Sequence, residues 1–188
     1  MKLKTILLAS VTLMTLANPV QAEICPPQVV VRPLQQTKII RQEQFGYRLR
    51  IPNNYKTLSL NSSELLVFDP GNFARTQCLL KNKVPTEFPY HISIYTKVVT
   101  SKNRDLASVV RQANPGAEKF ANTKVANQNA VTYISNTLGV QKQVSFFTPN
   151  NKYIITISTP FNIKEGRPTT IFNKNVFDQV LSSFTFSK

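Results

Sequence analysis

The sequence predicts an α+β domain, an antiparallel β-sheet covered by helices, and three observations lead there. Runs with period-2 alternation recur between short turns rich in Pro, Gly and Asn. Only two segments carry an apolar stripe at helical spacing. A hydrophobic content of 41%, with twelve Phe and six Tyr in 188 residues, is enough for one core without a metal or a disulfide lattice.

In chain order, residues 23–44 read as an extended arm. Cys25-Pro26-Pro27 and Pro33 bar a helix, and Val29-Val30-Val31 is β-prone. The folded body is expected from Phe45. Tyr47-Arg48-Leu49-Arg50-Ile51 alternates strictly, placing Tyr47, Leu49 and Ile51 inward and both Arg outward until Pro52-Asn53-Asn54 ends the strand. Leu65 to Phe68 is a second strand, and Asp69-Pro70-Gly71-Asn72 reads as a turn leading into a returning strand at Phe73 to Leu80. A loop follows from Lys81 to Pro89. Tyr90 to Thr100 is the longest β-type run, with Tyr90, Ile92, Ile94 and Val98 on one face and His91, Ser93, Tyr95 and Lys97 on the other.

Ser101-Lys102-Asn103 supplies capping residues for a helix over Arg104 to Ala113, whose stripe is Leu106, Val109, Val110 and Ala113. Strand-like stretches at 123–126, 130–136, 140–148 and 152–159 follow, the last three joined by short turns as a meander. Lys164 to Thr169 reads as a basic loop. From Ile171 to Phe184 a second stripe, Phe172, Val176, Phe177, Val180, Leu181 and Phe184, predicts the helix that is the main cover of the sheet.

Residues 1–22 have the form of a secretory signal. Lys2 and Lys4 precede a 13-residue stretch of mostly apolar and small residues, Thr5 to Ala17, and Val20-Gln21-Ala22 provides the small-residue cleavage pattern. The mature chain is expected to begin at Glu23. An acylated Cys25 is the competing reading, but Glu23 and Ile24 are not the small residues that such a site requires. Export places Cys25 and Cys78 in an oxidising space, where two otherwise unpartnered thiols pair. The bridge would close a 54-residue loop. In the chain-entropy picture that restrains the unfolded state by roughly 4 kcal/mol.

Loss of Lys2 and Lys4 leaves 21 basic residues against 9 acidic ones, a mature charge of +12. A basic exported protein is drawn to an acidic protein surface or to anionic membrane headgroups, and salt weakens the attraction. Nucleic acid is not an expected partner outside the cytoplasm. Enzyme signatures are missing: there is no Gly-x-Ser-x-Gly, no Ser-x-x-Lys and no Gly-rich phosphate cradle among the five glycines. A single His and two Cys do not make a zinc or iron-sulfur site. His91 on its strand face reads as a packing or surface histidine. No catalytic residue, cofactor or metal is therefore expected.

Three stretches carry a family resemblance. These are Phe45-Gly46-Tyr47 running to Ile51-Pro52, the last meander strand Tyr153-Ile154-Ile155-Thr156-Ile157, and the close Phe177-Asp178-Gln179-Val180-Leu181-Ser182-Ser183-Phe184-Thr185-Phe186. From Phe45 to Phe186 the chain resembles the PsbP-like family, named for an extrinsic lumenal subunit of photosystem II. The resemblance implies an α/β/α sandwich over residues 45–188 and a non-enzymatic role in binding or assembly, in a periplasm or thylakoid lumen. It departs from the family in carrying Tyr55-Lys56 where many members have a Trp, and in its Cys25 and Cys78 pair.

The expected function is thus an exported, monomeric accessory protein that docks on an acidic surface, as a photosystem II-associated assembly or stabilising factor would. Arg48, Arg50, Lys97 and Arg104 are the candidate docking residues, provided that they converge. The alternative is a small-ligand carrier or sensor with a pocket between sheet and helix.

Overall fold

The computed structural model describes residues 25–85, 87–100, 105–136 and 139–187, and within them the fold is α+β. The stretch 1–22 expected to be an export signal, Arg104 and the expected capping stretch 101–103 lie outside the described residues.

Two sheets pack together. The smaller begins with strand β1, Thr37–Gln42, which passes through a 3-10 turn, Glu43–Phe45, into β2, Tyr47–Pro52. Gly46 closes that turn at φ +65°, a backbone position that glycine adopts without steric cost. The stretch 23–44 therefore ends in a strand: Ile40 faces Leu49 and Gln42 faces Tyr47 in an antiparallel ladder. The last strand, β11 at Thr185–Phe186, pairs with the other edge of β2.

The larger sheet contains β3 (Lys56–Asn61), β4 (Glu64–Phe68), β5 (Ile92–Val98), β6 (Glu118–Val125), β7 (Gln128–Ser135), β8 (Gln141–Phe147) and β9 (Tyr153–Lys164), in the order β3-β4-β5-β9-β8-β7-β6. All these neighbours are antiparallel. The basic stretch after Lys164 is not a loop. It turns at Glu165-Gly166 and returns as β10, Arg167–Ile171, beside the end of β9. Four of its five residues are exposed, so no buried alternation marked it in the sequence.

One face of the large sheet is apolar. Leu65, Val67, Ile92, Ile94, Val144, Phe146, Ile155 and Ile157 meet Tyr47, Leu49 and Ile51 of β2 in the main core. The helix α3, Lys174–Ser183, adds Val176, Phe177 and Val180, and Phe184 just beyond it stacks on Tyr47 at 4.8 Å and meets Phe146 edge-on at 5.1 Å. Leu181, expected to be buried, is only half-buried and lines a shallow hollow with Phe177. In β5 the inward series is Ile92, Ile94 and Thr96; Val98 is 57% exposed rather than inward, because the core ends before it.

The opposite face carries two helices. The stretch expected to be a strand from Phe73 is instead α1, Pro70–Lys81. Asp69 is its N-cap rather than the start of a hairpin turn: its Oδ1 accepts from Gly71 N at 3.0 Å and Asn72 N at 3.3 Å, and Pro70 occupies the first turn, where a missing N–H costs nothing. The helix packs over β3 and β4, with Phe73 against Phe68. At the other end α2, Leu106–Ala113, is capped by Asp105, whose Oδ2 accepts from Ser108 N at 3.0 Å. Its Leu106 and Val110 pack on Val131 and Tyr133 of β7.

The N-terminal segment is strapped across α1. Cys25 and Cys78 are bridged with Cα atoms 5.7 Å apart. Arg75 Nη1 donates to Pro26 O at 2.6 Å, and Val31 N donates to the buried Asp69 Oδ1 at 3.1 Å. The crossing is close: a Cβ added at Gly71 would lie 2.0 Å from Val29 O, so only glycine fits under the strap.

The burial of α3 sets an expected contrast. Phe177→Ala should cost about 3 to 5 kcal/mol through lost burial and a cavity, whereas Leu181→Ala, at a half-exposed position, should cost about 1 kcal/mol. Urea denaturation of both variants measures this, and equal losses would mean that α3 is seated differently.

Candidate functional site

Of the predicted docking residues, Arg48 and Arg50 stand together and Lys97 stands apart from them. Because Tyr47, Leu49 and Ile51 point into the core, Arg48 and Arg50 must point out of the small sheet. The register places Arg41 of β1 directly opposite Arg48, and Ile39 opposite Arg50. Three exposed guanidinium groups thus share one outer face, and none forms an ion pair among the described residues.

Like charges directly opposite on a sheet are destabilising, and here the Arg41 and Arg48 pair has no carboxylate to relieve it. Among the described residues, the guanidinium restraints are hydroxyl contacts, Arg48 Nε to Thr185 Oγ1 at 3.1 Å and Arg50 Nη1 to Thr37 Oγ1 at 3.4 Å. Arg48, Arg50, Ser183 and Thr185 edge a small hollow of about 200 Å³. Several guanidinium donors therefore remain free for an anion. Sequence reasoning missed Arg41, because the stretch containing it was read as an arm. Its signal is weak: Ile39 and Ile40 are adjacent, which blurs the alternation that would have marked a strand.

Lys97 belongs to the other side of the molecule. The core occupies the Ile92 and Ile94 face of β5, so Ser93, Tyr95 and Lys97 face the helices. There α1 covers β3 and β4 while α2 covers β7 and β8, which leaves β5 and β9 uncovered between them. The result is a groove of about 620 Å³, walled by Val109, Val110 and Ala113 of α2.

The floor of the groove is built from hydroxyl and amide groups in register. Tyr133, Gln143, Ser158 and Ser93 lie side by side across β7, β8, β9 and β5, and the neighbouring row is Ser145, Thr156 and Tyr95. Ser93 Oγ and Ser158 Oγ share a hydrogen bond at 2.7 Å, Ser145 Oγ and Thr156 Oγ1 one at 2.8 Å, and Tyr133 OH and Ser145 Oγ one at 3.1 Å. Burial pushes the Tyr133 phenol up from its ordinary value, so it is a neutral hydroxyl at any working pH. In the sequence this floor is visible only as polar residues at period two, Gln141, Gln143, Ser145 and then Thr156, Ser158, which read as ordinary solvent-facing positions.

His91 serves packing. Its ring lies 5.1 Å from Phe68, and Nδ1 meets Pro89 O at 2.7 Å, so that nitrogen carries the proton. Burial lowers its pKa, and the Pro89 carbonyl and Glu64 oppose that shift without reversing it. Among the described residues, no three His, Cys, Asp or Glu side chains gather in a way that could hold a metal ion, and no helix is long and apolar enough to cross a membrane.

No protein-family model and no curated protein matches the chain. Among solved structures, it is similar to the solution structure of cyanobacterial PsbP (CyanoP) from Synechocystis sp. PCC 6803. The two share 15% sequence identity with a TM-score of 0.46, over 81% of this chain and 94% of that chain.

The half-buried histidine makes stability depend on pH in a defined direction. With its folded pKa below the ordinary 6.5, the unfolded chain takes up a proton more readily, so stability should fall as pH drops through 6.5 and level off once the folded form also protonates. Comparing denaturation midpoints at pH 7 and pH 5 for the native protein and His91→Gln checks this. The variant should show a smaller drop, and an identical drop would assign the pH response to other groups.

Proposed function

We propose that the protein is an exported, non-enzymatic accessory module that docks through the outer face of its small sheet on an acidic protein surface. The observation that carries this reading is the set Arg41, Arg48 and Arg50, three like charges on adjacent strands with no ion-pair partner among the described residues. Such a cluster costs the isolated fold stability, and an incoming carboxylate removes that cost. The planar fork of arginine suits carboxylates, which it grips through two parallel hydrogen bonds. A protein surface is favoured over bare lipid because headgroup-binding segments carry a denser run of about four to eight basic residues. The mature charge of +12 adds long-range attraction toward the same class of partner. Association with photosystem II in a thylakoid lumen is the version of this role that the family resemblance implies, whereas the docking face itself requires only an acidic partner.

The test is binding of the mature protein to washed native membranes, with protease-shaved membranes and anionic lipid vesicles alongside. Raising the salt from about 50 to about 500 mM, which shortens the screening length from about 14 to about 4 Å, should weaken binding. Arg48→Glu with Arg50→Glu should slow association roughly tenfold and flatten the salt response. Lys97→Glu, on the opposite side, should change little. Binding that survives shaving and is matched by vesicles would make the partner a lipid surface. Binding indifferent to both salt and the double change would remove electrostatic docking altogether.

A further inference from the structure

We infer that the groove between α2 and the uncovered strands β5 and β9 is a binding site for an acidic saccharide, a short run of pyranose rings bearing a carboxylate. Three features of the groove combine to select that class. The floor offers Ser93, Ser158, Thr156 and Gln143, groups that both donate and accept hydrogen bonds, as sugar hydroxyls do. Serine and threonine hydroxyls rotate to suit a partner, so the bonds they now make to one another can be re-aimed at a ligand without moving the backbone.

The second feature is the apolar strip. Val109 and Ala113 of α2, with Ile154 packed beside that helix, and the Tyr95 ring on β5 provide carbon surface for the C–H faces of a pyranose. Tyr95 is 43% exposed on a sheet face that is otherwise tucked between two helices, an arrangement in which an aromatic ring serves a ligand better than it serves the core.

The third feature is charge. Among the described residues, the groove lining contains one cation, Lys97, and no carboxylate; Glu64, paired with Tyr95 on β4, shares that sheet face but does not line the groove. A cationic ligand therefore finds no counter-ion among the described lining residues. A single ammonium without an accompanying cradle of backbone N–H groups matches one carboxylate rather than a phosphate. Ser93 and Lys97 are four residues apart on one strand, about 13 Å, so hydroxyl recognition and charge recognition sit at the two ends of a site long enough for linked rings. The volume of about 620 Å³ falls within the range of small-molecule sites.

Isothermal titration of the mature protein with digalacturonate tests this, with the neutral disaccharide cellobiose and the alkyl carboxylate octanoate as comparisons. Digalacturonate should bind saturably, and Lys97→Gln should weaken it roughly tenfold, the loss of one charge-assisted contact. Ser158→Val and Tyr95→Ala should weaken it as well, with near-ultraviolet circular dichroism confirming that each variant is folded. The Arg48→Glu and Arg50→Glu protein should bind digalacturonate as the native protein does, since that face lies across the sheet; this outcome is independent of whether the docking reading stands. Octanoate binding without saccharide binding would overturn the proposed class. Absence of saturable binding by digalacturonate, or binding unchanged in Lys97→Gln and Ser158→Val, would overturn the site.

Discussion

Tyr47, Leu49 and Ile51, alternate residues of a six-residue strand, join the small sheet to the large one, and the rest of the molecule depends on that junction. They are at most 2% exposed, packed between the apolar face of the large sheet and the helix α3. With them in place, Phe184 has a ring to stack on and β11 a strand edge to pair with. Without them, the large sheet would expose Ile94, Phe146, Ile155 and Ile157, a contiguous apolar surface that is costly to leave in contact with water.

Strand geometry turns that constraint into surface chemistry. Because side chains alternate, the inward set fixes Arg48 and Arg50 outward, and the antiparallel register then brings Arg41 to Arg48. The same rule acts on β5: Ile92 and Ile94 in the core send Ser93, Tyr95 and Lys97 to the far face. The two candidate surfaces are therefore back to back, one charged and exposed, the other a hydroxyl-lined trough between helices. A partner on the first leaves the second accessible.

How much of this was legible in the sequence follows from how much burial imposed a period. The Tyr47 to Ile51 strand and the α3 stripe were plain because one face of each is fully apolar. The helix α1 was not. Its buried residues are Asn72, Thr76 and Leu79, two of them polar, so no continuous apolar stripe exists; besides the Phe73 contact with Phe68, it is held by its Asp69 cap, the disulfide and the N-terminal strap. An Asp-Pro-Gly-Asn opening serves a turn and a helix start equally well, and only the tertiary partners of Asp69 decide between them. The outward placement of Arg48 and Arg50 was legible for the same reason. Alternation along one strand reveals which side chains face out, but which strands share a face is a matter of topology, and topology sets Lys97 on a different face from Arg48 and Arg50 and brings Arg41 beside Arg48.

The small sheet also dictates when this chain is able to fold. Its middle strand starts at Tyr47, while its last strand is bonded there from a position 137 residues later, with Arg48 reaching Thr185 and Ser187 N donating to Gly46 O at 2.8 Å. Closing so long a loop is slow, and it cannot begin until nearly the whole chain is free. During synthesis, and during any passage through a membrane pore in an unfolded state, the junction that holds the core stays unmade. The pairing of β2 with β11 is thus completed only once residues 185–187 are available, whichever way the large sheet has formed before them.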